Sequence, residues 1–189
     1  MHIFNRQFPN TRLRRLRVSD GIREMVRETH LAPCHLIAPV FVIEGSGEKQ
    51  AIASMPNVYR YTIDLLIDYV KSLYAEGVRM IDIFPVINPA LKTADGQDAY
   101  HPETLAVRAV RAIKDAVPEM IVMTDVALDP YTTHGQDGII DESGYVMNDI
   151  TTEALVKQTL AHAQAGADVI SPSDMMDGRI RMRILWAVS

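Results

Sequence analysis

EMIVMTDVALDPYTTHGQDG, residues 119–138, decides the fold. Its first half is short, apolar and rich in β-branched residues (Ile121, Val122), as in a strand buried on both faces. Its second half turns abruptly polar: Asp125, Asp129, Tyr131, Thr132, Thr133, His134, Gln136 and Asp137, with two glycines as spacers. A strand that leaves the core straight into carboxylates and a histidine has three readings. It is a metal site, an acid/base site, or a polar surface loop whose Asp137-Gly138 pair is simply a turn.

The same strand-and-helix alternation runs outward on both sides. LIAPVFVIEG (36–45), MIDIFPV (80–86), EMIVMTDVAL (119–128) and ADVISPSD (167–174) read as four buried strands. Between them lie helix patterns. TIDLLIDYVKSLYAEG has Thr62 as cap and Gly77 as stop, and PETLAVRAVRAIKDAVP is opened by Pro102 and closed before Pro118. TTEALVKQTLAHAQAG is capped by Thr151 or Thr152 and stopped by Gly166. An earlier helix is expected over SDGIREMVRETH, and SMPNVYR reads as a turn. Repeated βα units predict a parallel sheet, either an open doubly wound sheet or a (β/α)8 barrel. No glycine-rich phosphate loop follows a strand, which weakens the nucleotide-binding versions of the open sheet. In a barrel, catalytic groups sit at the C-terminal strand ends. Here those ends carry Glu44, Phe84-Pro85, Asp125 with Asp129, and Ser173-Asp174.

Composition bounds the function. The 189 residues are 48% hydrophobic, only 6% aromatic, and carry a net charge of −5. That supports an aliphatic core and gives no bulk pull toward nucleic acid or membranes. The single cysteine, Cys34, excludes an internal disulfide and a multi-cysteine zinc site, and suits a reducing cytosol. With no signal-like start and no run long enough to span a bilayer, the expectation is a soluble, cytoplasmic chain. Arg12, Arg14, Arg15 and Arg17 could meet phosphate, but without interleaved aromatics a solvated or subunit-contacting arm is the better reading.

DVALDPYTTHGQDG, SPSDMMDGRI, SMPNVYR, GYVMND and HAQAGADV together resemble the porphobilinogen synthase (5-aminolevulinate dehydratase) family, in the family's order, from about Arg12 to Ile180. Asn57 stands where the family usually has glycine, and Asn tolerates a left-handed turn. The resemblance implies a (β/α)8 TIM barrel with an N-terminal arm that wraps a neighbour in a homo-octamer. It divides the chain into an arm (1–18), a partial barrel (19–180) and a divergent tail (181–189). The implied reaction condenses two 5-aminolevulinate molecules into porphobilinogen with loss of two waters, in tetrapyrrole (haem) synthesis.

Zinc-dependent members carry cysteines at the positions of Ala127, Asp129 and Asp137. The resemblance therefore implies an aspartate-rich class, with Asp129 and Asp137 as metal positions for Mg²⁺ and no zinc-cysteine site. Asp125, Ser173 and Asp174 match active-site positions. The family's Schiff-base lysines have no match among Lys49, Lys71, Lys92, Lys114 and Lys157. After DGRI the sequence RMRILWAVS departs from the family pattern, so a frameshifted, truncated or specialised end is expected. The chain alone is expected to be inactive, and to be poorly soluble or dimeric. The alternative is a non-catalytic remnant that associates with an intact homologue. No nucleic-acid or membrane partner is expected.

Overall fold

A computed structural model describes residue 7 and residues 9–182. Arg183, Ile184 and Trp186 of the divergent tail lie outside the described residues, as do residues 1–6 and 8 of the arm. The described chain divides into two compact units, one ending at Ala32 and one starting at Pro33.

Among its described residues the first unit contains a 3-10 turn, Leu13–Arg17, and one short α-helix, α1 (Asp20–Met25). Ser19 caps it by accepting the Ile22 N–H. The helix ends well before the expected residue 30, and none of its residues is buried. Six residues without a packed face are too few to propagate further.

The second unit is built on one six-stranded sheet. Its strands are β1 (Ile37–Ile43), β2 (Lys49–Ala51), β3 (Tyr59–Thr62), β4 (Met80–Pro85), β5 (Ile121–Val126) and β6 (Val169–Pro172). The order is β2-β3-β1-β4-β5-β6, parallel throughout except for the β2–β3 pair. Strands β1, β4, β5 and β6 are the four read from sequence. Their crossovers carry α2 (Ile63–Ala75), α3 (Leu105–Ala116) and α4 (Asn148–Gln164). This is a parallel α/β sheet forming part of a (β/α)8 barrel.

The pair β2 and β3 corrects the reading of SMPNVYR as a turn only. Asn57 does make the turn, at φ 64°. Strand β3 then follows, and its Arg60, Tyr61 and Thr62 pair with Phe41, Val42 and Ile43 of β1. Aromatic packing holds this short strand: Tyr61 stacks on Tyr69 of α2 at 4.9 Å, and the Lys49 ammonium lies 4.0 Å from the Tyr59 ring.

Two helix starts also move. Pro102 does not open α3; the His101 ring accepts the Glu103 N–H, Thr104 N–H donates to the His101 carbonyl, and the helix begins at Leu105. Helix α4 begins at Asn148, ahead of the expected threonine caps. Thr151 and Thr152 instead donate back to the carbonyls of Met147 (2.6 Å) and Asn148 (2.9 Å), as hydroxyls inside a helix do. The stops hold: Gly77 and Gly166 take φ 97° and 104°, where a Cβ would be strained.

Alternation along the strands separates two faces. Val40, Val42, Ile81, Ile83, Val122, Thr124 and Val126 are buried beneath the helices, against Leu66, Val110, Ile113 and Leu155. The side chains of Ile37, Phe41, Met80, Asp82, Phe84, Met123, Asp125 and Ser171 occupy the opposite, barrel-interior face. Ile37 and Ile121 there are 48% and 37% exposed.

Candidate active site

Strand register fixes which interior side chains share a row. Phe41 pairs with both Arg60 and Phe84; Ile83 pairs with Thr124, which puts Phe84 beside Asp125; Asp125 pairs with Ser171. The row nearest the C-terminal strand ends is thus Arg60, Phe41, Phe84, Asp125, Ser171. The two rings lie 5.6 Å apart. One row deeper, Pro39, Asp82, Met123 and Val169 line up.

The polar loop after β5 is tied down over this edge. His134 is a structural residue here: one ring nitrogen accepts the Gln136 N–H (3.2 Å) and the other donates to the Ala94 carbonyl (3.0 Å). With both nitrogens engaged it is neither free base nor free ligand. Thr133 N–H donates to the Thr93 carbonyl and Thr132 Oγ1 to the Gln136 carbonyl. Tyr131, fully buried, anchors the loop, and burial pushes its phenol well above the usual range.

Within this frame Asp125, Asp129 and Ser173 come together. Burial raises the Asp125 carboxyl above its ordinary value; the Ser173 hydroxyl lowers it and nearby Asp174 raises it further. Asp129 is likewise raised by burial, then by Asp125 and Asp137, while the Lys92 ammonium draws it down. Taking these carboxylates partly out of water and crowding like charges raises their hold on a proton.

Asp137 and Asp174 are placed differently. Asp137 uses Oδ2 to accept the Met175 N–H (3.1 Å), stitching the β5 loop to the segment after β6. Asp174 is buried and accepts the Met176 N–H (3.0 Å), with Arg179 Nε 3.7 Å away. It shapes the turn beneath Asp125. Of the adjacent methionines, Met176 joins the core and Met175 is 80% exposed.

The site contains one acid that the motifs did not single out. Asp82 sits mid-strand on β4, two residues below the Asp125 row, with Oδ1 shielded and without a hydrogen-bond partner. Burial, then Asp125, raises it to about 6. Its signal was in MIDIFP, where a lone aspartate alternates with two core isoleucines.

The donor set bears on a metal. All donors are hard oxygens, and Cys34 is exposed ahead of β1. Yet among the described residues no three His, Cys, Asp or Glu side chains converge as ligands. The described residues form no ready-made cage.

A parallel βα sheet whose carboxylates gather beyond its C-terminal strand ends defines the class: a (β/α)8-barrel protein, with the candidate site at the barrel mouth. Residues 10–184 match the family model for delta-aminolevulinic acid dehydratase, and the chain belongs to that family. It is 47% identical over 171 residues to the chloroplastic delta-aminolevulinic acid dehydratase of Selaginella martensii, covering 90% of this chain and 41% of that protein. The enzyme of that name from Chlamydia pneumoniae is 43% identical over 169 residues, covering 89% and 51%. The crystal structure of the Toxoplasma gondii enzyme with its reaction product porphobilinogen superposes with a TM-score of 0.90 at 38% identity, covering 94% of this chain and 51% of that one. The chain spans about half the length of these relatives, or less.

Proposed function

We propose that this chain supplies the carboxylate side of a porphobilinogen synthase site, where 5-aminolevulinate is bound for condensation. The observation that carries this reading is the place of Asp125, in register with Ser171 on the interior face at the strand ends of a family member, where burial and Asp174 raise its carboxyl and Ser173 lowers it. Asp125 would receive the ammonium group of a bound 5-aminolevulinate and hold a proton close to it. Ser173 orients the carboxyl by donating a hydrogen bond, and Asp174 braces the turn that carries Ser173.

Asp129 and Asp137 would supply oxygen ligands to a hard cation, the aspartate-rich variant of the site. Mg²⁺ commonly takes one or two carboxylates and keeps several waters, so two aspartates suffice without a protein cage. The ion would neutralise charge beside Asp125.

The five lysines support a division of labour. Lys114 is held by Asp168, Lys157 lies over Tyr100, and Lys49 packs on Tyr59. Of those with described contacts only Lys92 lies at the mouth, beside Asp129. Among the described residues no lysine acts on Asp125, so the chain alone is expected to bind 5-aminolevulinate without forming the pyrrole. The exposed arginines before α1 support an assembly role for the arm.

Titration calorimetry with 5-aminolevulinate, paired with a colorimetric pyrrole assay, tests the reading. Binding that weakens about tenfold in Asp125→Asn, a loss of about 1.4 kcal/mol, with no pyrrole formed, is the expected result. Equal binding by wild type and Asp125→Asn would remove Asp125 from the site.

A further inference from the structure

The motif GYVMND (144–149) has no part in the carboxylate cluster. Its Asn148 is the first residue of α4, close to where asparagine often serves its own helix. Here the cap position belongs to Met147, and the Asn148 side chain reaches across to a residue 29 positions further on. Its Oδ1 accepts the Asp177 N–H at 2.7 Å. Its Nδ2 donates to the Asp177 carbonyl at 3.2 Å and to Asp149 Oδ1 at 3.1 Å. One primary amide thus satisfies both backbone polar groups of Asp177, the pairing that a neighbouring antiparallel strand would supply.

That grip completes a series. The N–H groups of Met175, Met176 and Asp177 are consecutive, and each takes a side-chain oxygen: Asp137 Oδ2 at 3.1 Å, Asp174 Oδ1 at 3.0 Å and Asn148 Oδ1 at 2.7 Å. The acceptors come from the loop after β5, from the turn itself and from α4. Arg179 Nη1 adds a bond to the Met176 carbonyl at 3.0 Å. The turn leaves the sheet at Ser173, whose N–H donates to the Val126 carbonyl at 3.3 Å, one residue past Asp125. Ser173 lowers the Asp125 carboxyl, so its placement bears directly on that acid. Asp174 and Met176 are held by burial, whereas Ser173 and Asp177 are exposed. Two bonds to one residue's backbone resist pivoting as well as displacement, and they act at an end of the turn that packing does not hold.

We propose that Asn148 is a positioning residue of the candidate site: its amide fixes the Asp177 backbone, and through it the turn that presents Ser173 to Asp125. The residue type fits the task. Asparagine offers a donor and an acceptor on one short planar group. Aspartate would set a carboxylate against the Asp177 carbonyl, and alanine would leave both backbone groups to water. The use of this positioning in substrate binding rests on the Asp125 reading above; the positioning itself does not.

Hydrogen exchange of the full chain, read by mass spectrometry, compares wild type with Asn148→Ala. Exchange over residues 173–178 should rise about tenfold, while β5 and α4 beyond its first turn stay within about twofold. No rise over 173–178 would show the grip to be idle, and an equal rise along α4 would show a lost helix start; either overturns the proposal. The carboxyl-carbon NMR signal of Asp125, at one fixed pH, gives a readout that a purely structural role would not move. Asn148→Ala and Ser173→Ala should shift it in the same direction, and the double variant by clearly less than the sum, because the two act in series. Additive shifts, or no shift in Asn148→Ala, also overturn the proposal. Titration calorimetry with 5-aminolevulinate adds the functional arm. If Asp125→Asn weakens binding, Asn148→Ala should weaken it about three- to tenfold, and unchanged binding would remove the positioning role. If Asp125→Asn leaves binding unchanged, the substrate reading fails, and the exchange and carboxyl signals still decide the positioning.

Discussion

Asp82 and His162 are two buried titratable groups that pull stability in opposite directions with pH. In the unfolded chain Asp82 titrates at the ordinary 3.8, and in the fold at about 6. The folded state's tighter hold on the proton is fully felt below about pH 4 and is lost as pH rises through 6, so at pH 7.5 the ionised group is a net cost. Asp82→Asn should therefore be more stable than wild type at pH 7.5, by about 1–2 kcal/mol once partial exposure is allowed for, with the gap closing toward pH 4. His162 behaves in reverse. Its Nδ1 meets Thr124 Oγ1 at 3.1 Å, Nε2 is buried without a partner, and burial lowers it to about 4. Its contribution is full above pH 6.5 and disappears as pH falls toward 4. His162→Gln should lose less stability than wild type between those values, by up to about 3 kcal/mol. Thermal melts at pH 4.5, 6 and 7.5 resolve both.

At the level of elements, two backbone positions admit a direct check. Gly138 is the crowded one: a Cβ there would lie 2.6 Å from Val146 Cγ1 and 3.0 Å from Thr151. Gly138→Ala should cost about 1–3 kcal/mol in urea unfolding and loosen the loop that carries Asp137. Asn57, at φ 64°, should accept glycine with little change, whereas Asn57→Ala should cost about 1 kcal/mol. The elements most legible in the sequence were the ones with long apolar periodicity, namely the four parallel strands and α2 through α4. What escaped was set by tertiary contacts. Strand β3 is four residues long and exists because Phe41 of β1 and Tyr69 of α2 receive it. The start of α3 was moved by a histidine ring that caps the preceding turn. The site divided the same way: Asp125, Asp129 and Ser173 stand at strand ends and declare themselves, whereas Asp82 gains meaning only from its neighbours across the sheet.

Among the described residues of the second unit, helices cover one face of the sheet and leave the other open. Strand β3 closes the outer edge of β1 only over Phe41–Ile43, and the far edge of β6 has no strand beyond it among the described residues. Apolar side chains exposed beside unpaired backbone favour association with another chain. Sedimentation velocity should show self-association that grows with concentration, and Ile121→Lys should suppress it; a sharp monomer boundary at all concentrations would contradict this.

Asp82 has one more consequence. A carboxyl that keeps its proton near pH 6 carries a C=O stretching band resolved from the carboxylate bands of the exposed acids. Its loss in Asp82→Asn would assign it. A cation that settles at Asp125 should lower the Asp82 carboxyl and weaken the band, which infrared titration would read as charge arriving at the mouth.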